Sequence, residues 1–310
     1  MIIITTYHSR VNDQRFLKRK QYLEETIRSI DNQKLDNLFH LIVDDGSTDD
    51  IYNILRSRYT NDSRRCVVRR EKNTNEPLTS TNARNFAINL CLESRSIGAI
   101  DISKHKYIMF IDSDDVVIDL NKREKFLDEN GSAFLYTDAL LFFDDTDKAF
   151  FWSGIRAERA YKSFWVYGKM PYPTMTWRMD FLRELKNWIN INYHFDGPFD
   201  PRIGCGEDVD IALSTFECAQ SKKYKIDYLP EITAGYRIHS SSLASIRNQA
   251  TRASEENAVL KRHFGNTISA YLHLRRFFAR PECYIPHLMR VKNIFRRKTS
   301  KTRFLSKSKF

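Results

Sequence analysis

Three times within the first 115 residues an apolar run of strand character stops abruptly at polar or acidic side chains. Met1–Tyr7 (MIIITTY) ends in Thr5, Thr6 and Tyr7; Phe39–Val43 breaks into Asp44-Asp45-Gly46; Tyr107–Ile111 breaks into Asp112, Asp114 and Asp115. Runs of β-branched and aliphatic residues without alternation suit parallel strands buried on both faces. Between them lie a helical pattern from about Gln14 to Ile30, a helix ending near Tyr59, a short strand at Arg65–Arg69 and a helix from about Thr79 to Glu93. Strand and helix alternate four times. That order predicts an α/β fold with a mostly parallel central sheet flanked by helices. Its strand ends meet on one edge, and ligands bind at that edge of such sheets.

The acids at that edge carry the first chemical signal. Several carboxylates within four residues repel one another unless a cation or a proton compensates them. Oxygen-only donors suit Mg²⁺ or Mn²⁺, and such ions usually share their coordination sphere with phosphates of a substrate. Taken alone, Lys106–Asp115 also reads as a solvated acidic turn, and Asp44–Asp50 as a turn in which Gly46 permits the tight bend and Ser47, Thr48 or Asp49 caps the next helix. Repetition at three strand ends favours a site.

The second signal is Gly204–Leu213 (GCGEDVDIAL), which opens a helix. Glu207 and Asp208 there suit a helix N-terminus as first-turn acids, and they equally suit a general base that takes a proton from an attacking hydroxyl. Strands near Tyr224–Leu229 and Ile232–Ile238 lead to Tyr-Arg-Ile-His, where His239 is either structural or a ligand. Between the two signals, Ser132–Trp152 reads as a hairpin around Asp144–Asp147. Ile155–Trp177 is rich in aromatics, with Trp165, Tyr172 and Trp177 among them. Aromatic faces stack on sugar rings, so this stretch is either an acceptor-binding loop or ordinary core.

Charge separates the tail from the rest. Lys261–Phe310 holds 14 lysines and arginines against the single acid Glu282, a net +13, while the whole chain is +11, which leaves residues 1–260 at −2. Ile246–Phe264 reads as a helix packed on the core, and the segments beyond it set apolar clusters among basic residues. Such segments suit an anionic membrane surface. No apolar run is long enough to span a bilayer, and the start lacks the marks of a signal peptide. The expectation is a cytoplasmic protein held peripherally at the inner face of the cell membrane. Five scattered cysteines without CxxC spacing argue against a disulfide framework and a zinc site.

Taken together, TTYHSR, LIVDDGSTDD, STNARNFAI and FIDSDD resemble, in order and spacing, the nucleotide-sugar half of inverting family 2 glycosyltransferases of the GT-A fold, the type found in bacterial polysaccharide biosynthesis. His8 stands where that family has Asn. The resemblance implies a metal-dependent, inverting transfer from a nucleoside diphosphate sugar, most simply a UDP sugar, to a glycan or lipid-linked saccharide. It places Thr5, Tyr7, Asp44, Asp45, Arg84, Asp112, Ser113 and Arg237 around the nucleotide sugar. Asp114, Asp112 and His239 would hold Mn²⁺ or Mg²⁺; Asp208 would be the base, with Glu207 orienting. The chain divides accordingly into a donor half (1–131), an acceptor and base half (132–245) and a helical, basic, membrane-associating segment (246–310).

Two rivals make distinct demands. A nucleotidyltransferase acting on a sugar phosphate would carry a Gly-rich basic loop after the first strand, and TTYHSR has no glycine. A non-catalytic nucleic-acid or anion binder would spread its basic residues over a folded face, whereas here they sit in the tail; no nucleic-acid partner is expected.

Overall fold

The computed structural model describes residues 1–9, 17–72, 80–144, 149–154, 170–204, 206–239 and 254–266. Strands β1 (Ile2–Tyr7), β2 (Phe39–Asp44) and β3 (Arg65–Arg69) are parallel. A separate small ribbon pairs β4 (Ser96–Ile97) with β5 (Ile100–Asp101). The main sheet continues through β6 (Tyr107–Phe110), β7 (Val116–Val117), β8 (Phe134–Phe143), β9 (Ala149–Trp152), β10 (Thr176–Arg178) and β11 (Ile226–Ile238). Its spatial order is β3-β2-β1-β6-β10-β8-β11-β7, with β9 alongside β8. The expected parallel half, β3-β2-β1-β6, is present; β10 then runs antiparallel to both neighbours, and β11 returns parallel to β8.

Every residue of β1, β2 and β6 is buried, as runs without alternation require when both faces are covered. On one face Ile2, Ile4, Leu41, Val43 and Phe110 pack with Ala83, Ala87 and Ile88 of the Thr81–Glu93 helix. The same cluster takes in Phe181 and Leu185 of the Met179–Tyr193 helix, and Ile211 and Ala212 of the Glu207–Lys222 helix. On the opposite face Ile3, Met109 and Ile111 meet Leu120 and Leu127 of the Leu120–Asn130 helix, and Ile30 of the Leu17–Asp31 helix. Tyr22, Leu23, Ile27 and Ile30 recur at helical spacing and are all buried.

The two strands expected near Tyr224–Leu229 and Ile232–Ile238 form one long strand, β11, with register shifts at Leu229/Ile232 and Ile232/Ala234. Pro230, which has no N–H, sits at the first shift and bends the ladder without ending it. Gly46 adopts φ +66°, the left-handed turn that its type permits. Asp49 Oδ1 accepts from the Ile51 N–H at 3.3 Å at the start of the Ile51–Arg58 helix. Ser47 turns to the neighbouring strand end instead, where its hydroxyl accepts from the Ser9 N–H at 2.9 Å.

Candidate active site

Parallel pairing brings the strand ends level. Tyr7 pairs with Asp44, the Asp45 N–H donates to the Tyr7 carbonyl at 2.9 Å, and the Ile111 N–H donates to the Ile4 carbonyl at 3.0 Å. Tyr7, Asp44, Asp45 and Asp112 therefore share one edge. The Asp44 carboxylate is fully buried; Oδ1 accepts from the Ser47 N–H at 3.1 Å, and Arg69 Nε lies 3.5 Å from Oδ2. Burial raises its pKa against the pull of Ser47 and Arg69. Asp45 is clamped, Oδ1 by Arg70 Nε at 2.7 Å and Oδ2 by Lys72 Nζ at 3.2 Å.

Thr5 lies two residues inside the Tyr7 edge, paired with Ile42, and is fully buried. Arg65 Nε donates to His40 Nδ1 at 3.2 Å, and arginine can only donate. His40 therefore carries its proton on Nε2 and donates to the Thr5 hydroxyl at 2.9 Å. Burial, reinforced by Arg65, holds the imidazole pKa well below its usual value, so the ring is neutral. Thr5 thus sits on a buried Arg65–His40 relay beneath the edge.

The acid turn follows β6. Asp112, Asp114 and Asp115 offer carboxylate oxygens all within 4.8 Å of one another. Burial, then the repulsion of Asp114 and Asp112, raises the pKa of Asp115 well above its ordinary value. Asp115 Oδ1 accepts from the Arg237 N–H at 2.8 Å, whereas the buried Oδ2 has no hydrogen-bond partner among the described residues. His239 Nε2 lies 2.8 Å from Asp114 Oδ2. Three hard oxygen donors, one left unsatisfied inside the protein, fit a divalent cation of the Mg²⁺ or Mn²⁺ type. Ser113 lies half-buried between them.

Glu207 and Asp208 begin the Glu207–Lys222 helix directly after Gly206, which takes φ +90°. Arg84 joins this helix start to the acid turn: Nη2 donates to Asp112 Oδ1 at 2.5 Å and Nη1 to Glu207 Oε1 at 3.3 Å. Its guanidinium lies over the Tyr172 and Phe199 rings at 4.5 and 5.4 Å. Burial pushes the Glu207 pKa up to about 7, with Arg84 opposing and Asp208 and Asp112 adding. The buried Tyr172 hydroxyl has no hydrogen-bond partner among the described residues. Burial, with the charges of Asp112, Glu207 and Asp208 against that of Arg84, holds that phenol well above its ordinary pKa. Asp208 is half-buried, and its Oδ1 accepts from the Val209 N–H at 2.9 Å.

Arg237, expected beside the nucleotide sugar, is engaged by protein groups: Nε donates to the Asp114 carbonyl at 2.7 Å, Nη2 to Glu25 Oε2 at 2.5 Å, and the guanidinium lies over the Tyr22 and Phe142 rings. It braces the acid turn. Trp177, read from the sequence as either acceptor-binding or core, is fully buried. Its Nε1 donates to Thr215 Oγ1 at 3.1 Å and its ring packs on Phe110 and Phe134, because β10 carries it into the middle of the sheet. Trp165 lies outside the described residues, as do Tyr161, Phe164 and Tyr167. Thr26 was not anticipated. It is buried and its hydroxyl donates to the Asp115 carbonyl at 2.7 Å. A polar residue on the otherwise apolar stripe of Tyr22, Leu23, Ile27 and Ile30 was the available signal.

A family model described as Glycosyl transferase family 2 matches residues 1–199. Over 238 residues, 74% of this chain and 71% of the relative, the sequence is 24% identical to an uncharacterised glycosyltransferase of Methanocaldococcus jannaschii. Among solved structures, S. aureus TarS 1–349 in complex with UDP-GlcNAc is similar with a TM-score of 0.60 at 17% identity, over 90% of this chain and 72% of that chain. The same protein in complex with UDP gives a TM-score of 0.53 at 17% identity, over 91% and 81% of the two chains. At these identities the likeness concerns the fold.

Proposed function

This chain belongs to glycosyl transferase family 2, and from that premise we propose that it is a metal-dependent, inverting glycosyltransferase. Its donor is a nucleoside diphosphate sugar, with UDP sugars first among the candidates because the similar TarS structures hold UDP-GlcNAc and UDP. The acceptor is a hydroxyl of a glycan or lipid-linked saccharide in polysaccharide assembly. The observation that carries this reading is the Arg84 bridge, which joins Asp112 of the acid turn to Glu207 of the helix start and so makes one site of two motifs 95 residues apart.

In this scheme Tyr7, Asp44 and Asp45 receive the nucleobase, with Asp45 poised between Arg70 and Lys72, and Thr5 supports them from below. Asp112 and Asp114, with His239 beside them, would hold Mn²⁺ or Mg²⁺, and Ser113 lies against the donor. A divalent ion there would neutralise the charge that grows on the diphosphate as the glycosidic bond breaks. Asp208 takes the proton of the acceptor hydroxyl onto a carboxylate oxygen. The hydroxyl oxygen forms the new bond to the anomeric carbon from the face opposite the diphosphate, which departs with the electron pair of the broken bond. Glu207, paired with Arg84, and Tyr172, whose hydroxyl has no partner among the described residues, orient the acceptor. The basic segment after residue 266 meets an anionic membrane where a lipid-linked acceptor would lie.

The test compares two variants in Mn²⁺-containing buffer. Asp208→Asn should leave the donor-induced rise in melting temperature nearly intact and abolish transfer. Asp114→Ala should lose the metal-dependent part of that rise. Full transfer by purified Asp208→Asn would sink the base assignment.

A further inference from the structure

Residues 254–266 form a helix that packs onto the Glu207–Lys222 helix, with Val259 and Leu260 fully buried. From it Arg262 reaches two buried carboxylates. Its Nη1 donates to both oxygens of Asp210, at 2.9 and 2.8 Å, and its Nη2 pairs with Asp200 Oδ2. The guanidinium lies over the Tyr193 and Phe195 rings at 5.3 and 5.5 Å. His263 adds Nε2 to Asp210 Oδ1 at 3.0 Å and Nδ1 to Glu217 Oε1 at 3.0 Å. Glu255 Oε2 accepts from the Gly204 N–H at 3.3 Å.

The location of these contacts gives them meaning. Asp210 is in the same first helical turn as Glu207 and Asp208, two residues beyond Asp208 and so about 200° around the helix axis from it at about 100° per residue. Holding Asp210 on one side therefore sets the rotation of Asp208 on the other. Asp200 lies in the loop that feeds this helix, and the neighbouring Phe199 is held through its backbone N–H and carbonyl by the Asn85 amide, at 3.0 and 2.7 Å. Asn85 follows Arg84, which holds Glu207. The turn is thus gripped from both sides, by Arg84 and by Arg262.

We propose that Arg262 is a positioning residue for the Glu207–Asp208 pair, so that the helix 254–266 belongs to the catalytic body and the basic tail begins after it. The proposal rests on the glycosyltransferase reading. A helix rotation of about 10° moves a group at its outer radius of roughly 5–6 Å by about 1 Å, and a misplacement of that size can lower a rate about 100-fold.

The experiment measures kcat, donor KM and amide exchange in full-length Arg262→Met and Arg262→Lys, with Mn²⁺ and a UDP sugar that the wild type turns over. Arg262→Met is expected to lower kcat by about 30-fold or more while donor KM stays within about twofold. Arg262→Lys, which keeps the charge but loses the fork, recovers part of that loss. Amides of residues 207–210 should exchange about tenfold faster in Arg262→Met, with those of β1 and β2 unchanged. Wild-type kcat in Arg262→Met, or kcat and donor KM changing together with a general loosening of exchange, overturns the proposal. Should Arg262→Met not fold, the charge-neutral pair Asp210→Asn with Arg262→Gln takes its place; the same selective loss of kcat supports the proposal, and wild-type kcat overturns it. A wild type that transfers no sugar defeats the functional reading alone, because exchange at residues 207–210 still tests what Arg262 holds.

Discussion

Arg84 faces two carboxylates, and their protonation sets how firmly it grips each. With the Glu207 pKa pushed up from 4.5 to about 7, the pair with Arg84 is fully charged only above that pH. If Glu207 orients the acceptor as a carboxylate, kcat/KM rises with pH through about 7, and the limb disappears in Glu207→Gln; a limb that persists in the variant assigns the titration elsewhere. Stability runs the other way. A raised native pKa means that the folded state binds more protons between about 4.5 and 7, so stability contributed by Glu207 falls across that window, by at most about 1.4 kcal/mol per pH unit. Urea titrations of wild type and Glu207→Gln at several pH values read this difference. The acids themselves were legible in the sequence because DSDD and GED place them at a strand end and a helix start. The partners of Arg84 and Arg237 were not, since either guanidinium reaches in any direction from its backbone and the acids it meets are distant in sequence. Asp115, which the resemblance left out of the metal set, proves to be the buried one, with an oxygen unsatisfied among the described residues.

The loop before the Glu207 helix depends on Gly197. It adopts φ +111°, and a Cβ there would lie 2.5 Å from Asn85 Cγ, displacing the amide that pairs with Phe199. Gly197→Ala should therefore destabilise by about 2–4 kcal/mol, combining backbone strain with lost hydrogen bonds. Gly131→Ala, at φ +64° with nothing within 4 Å, should show the backbone part alone, about 1–2 kcal/mol. Denaturant midpoints with unchanged slopes check both, and equal losses would refute the role of Asn85. The parallel strands were readable because residues buried on both faces leave unbroken apolar runs. β10 was not, because three residues carry no periodicity, and so Trp177 could not be told from a surface aromatic. The two strands expected there are one, β11, because the register shifts around Pro230 interrupt the pattern without ending the strand.

The uneven charge makes its own prediction for the molecule as a whole. The full chain should sediment with vesicles containing anionic lipid at low salt and be released at about 0.5 M salt. Removal of residues 269–310, which leaves the helix 254–266 in place, should abolish binding without changing the melting temperature; undiminished binding would refute the membrane role of the tail. The place of β10 in the sheet has a consequence for biosynthesis. β6 closes the parallel quartet by residue 110, yet its free edge is covered only when Thr176–Arg178 arrives. A growing chain therefore waits roughly 65 residues, about 3–13 s at 5–20 residues per second, with an unpaired strand edge open to neighbours. During that interval the nascent chain carries an open β6 edge that the finished sheet closes with β10.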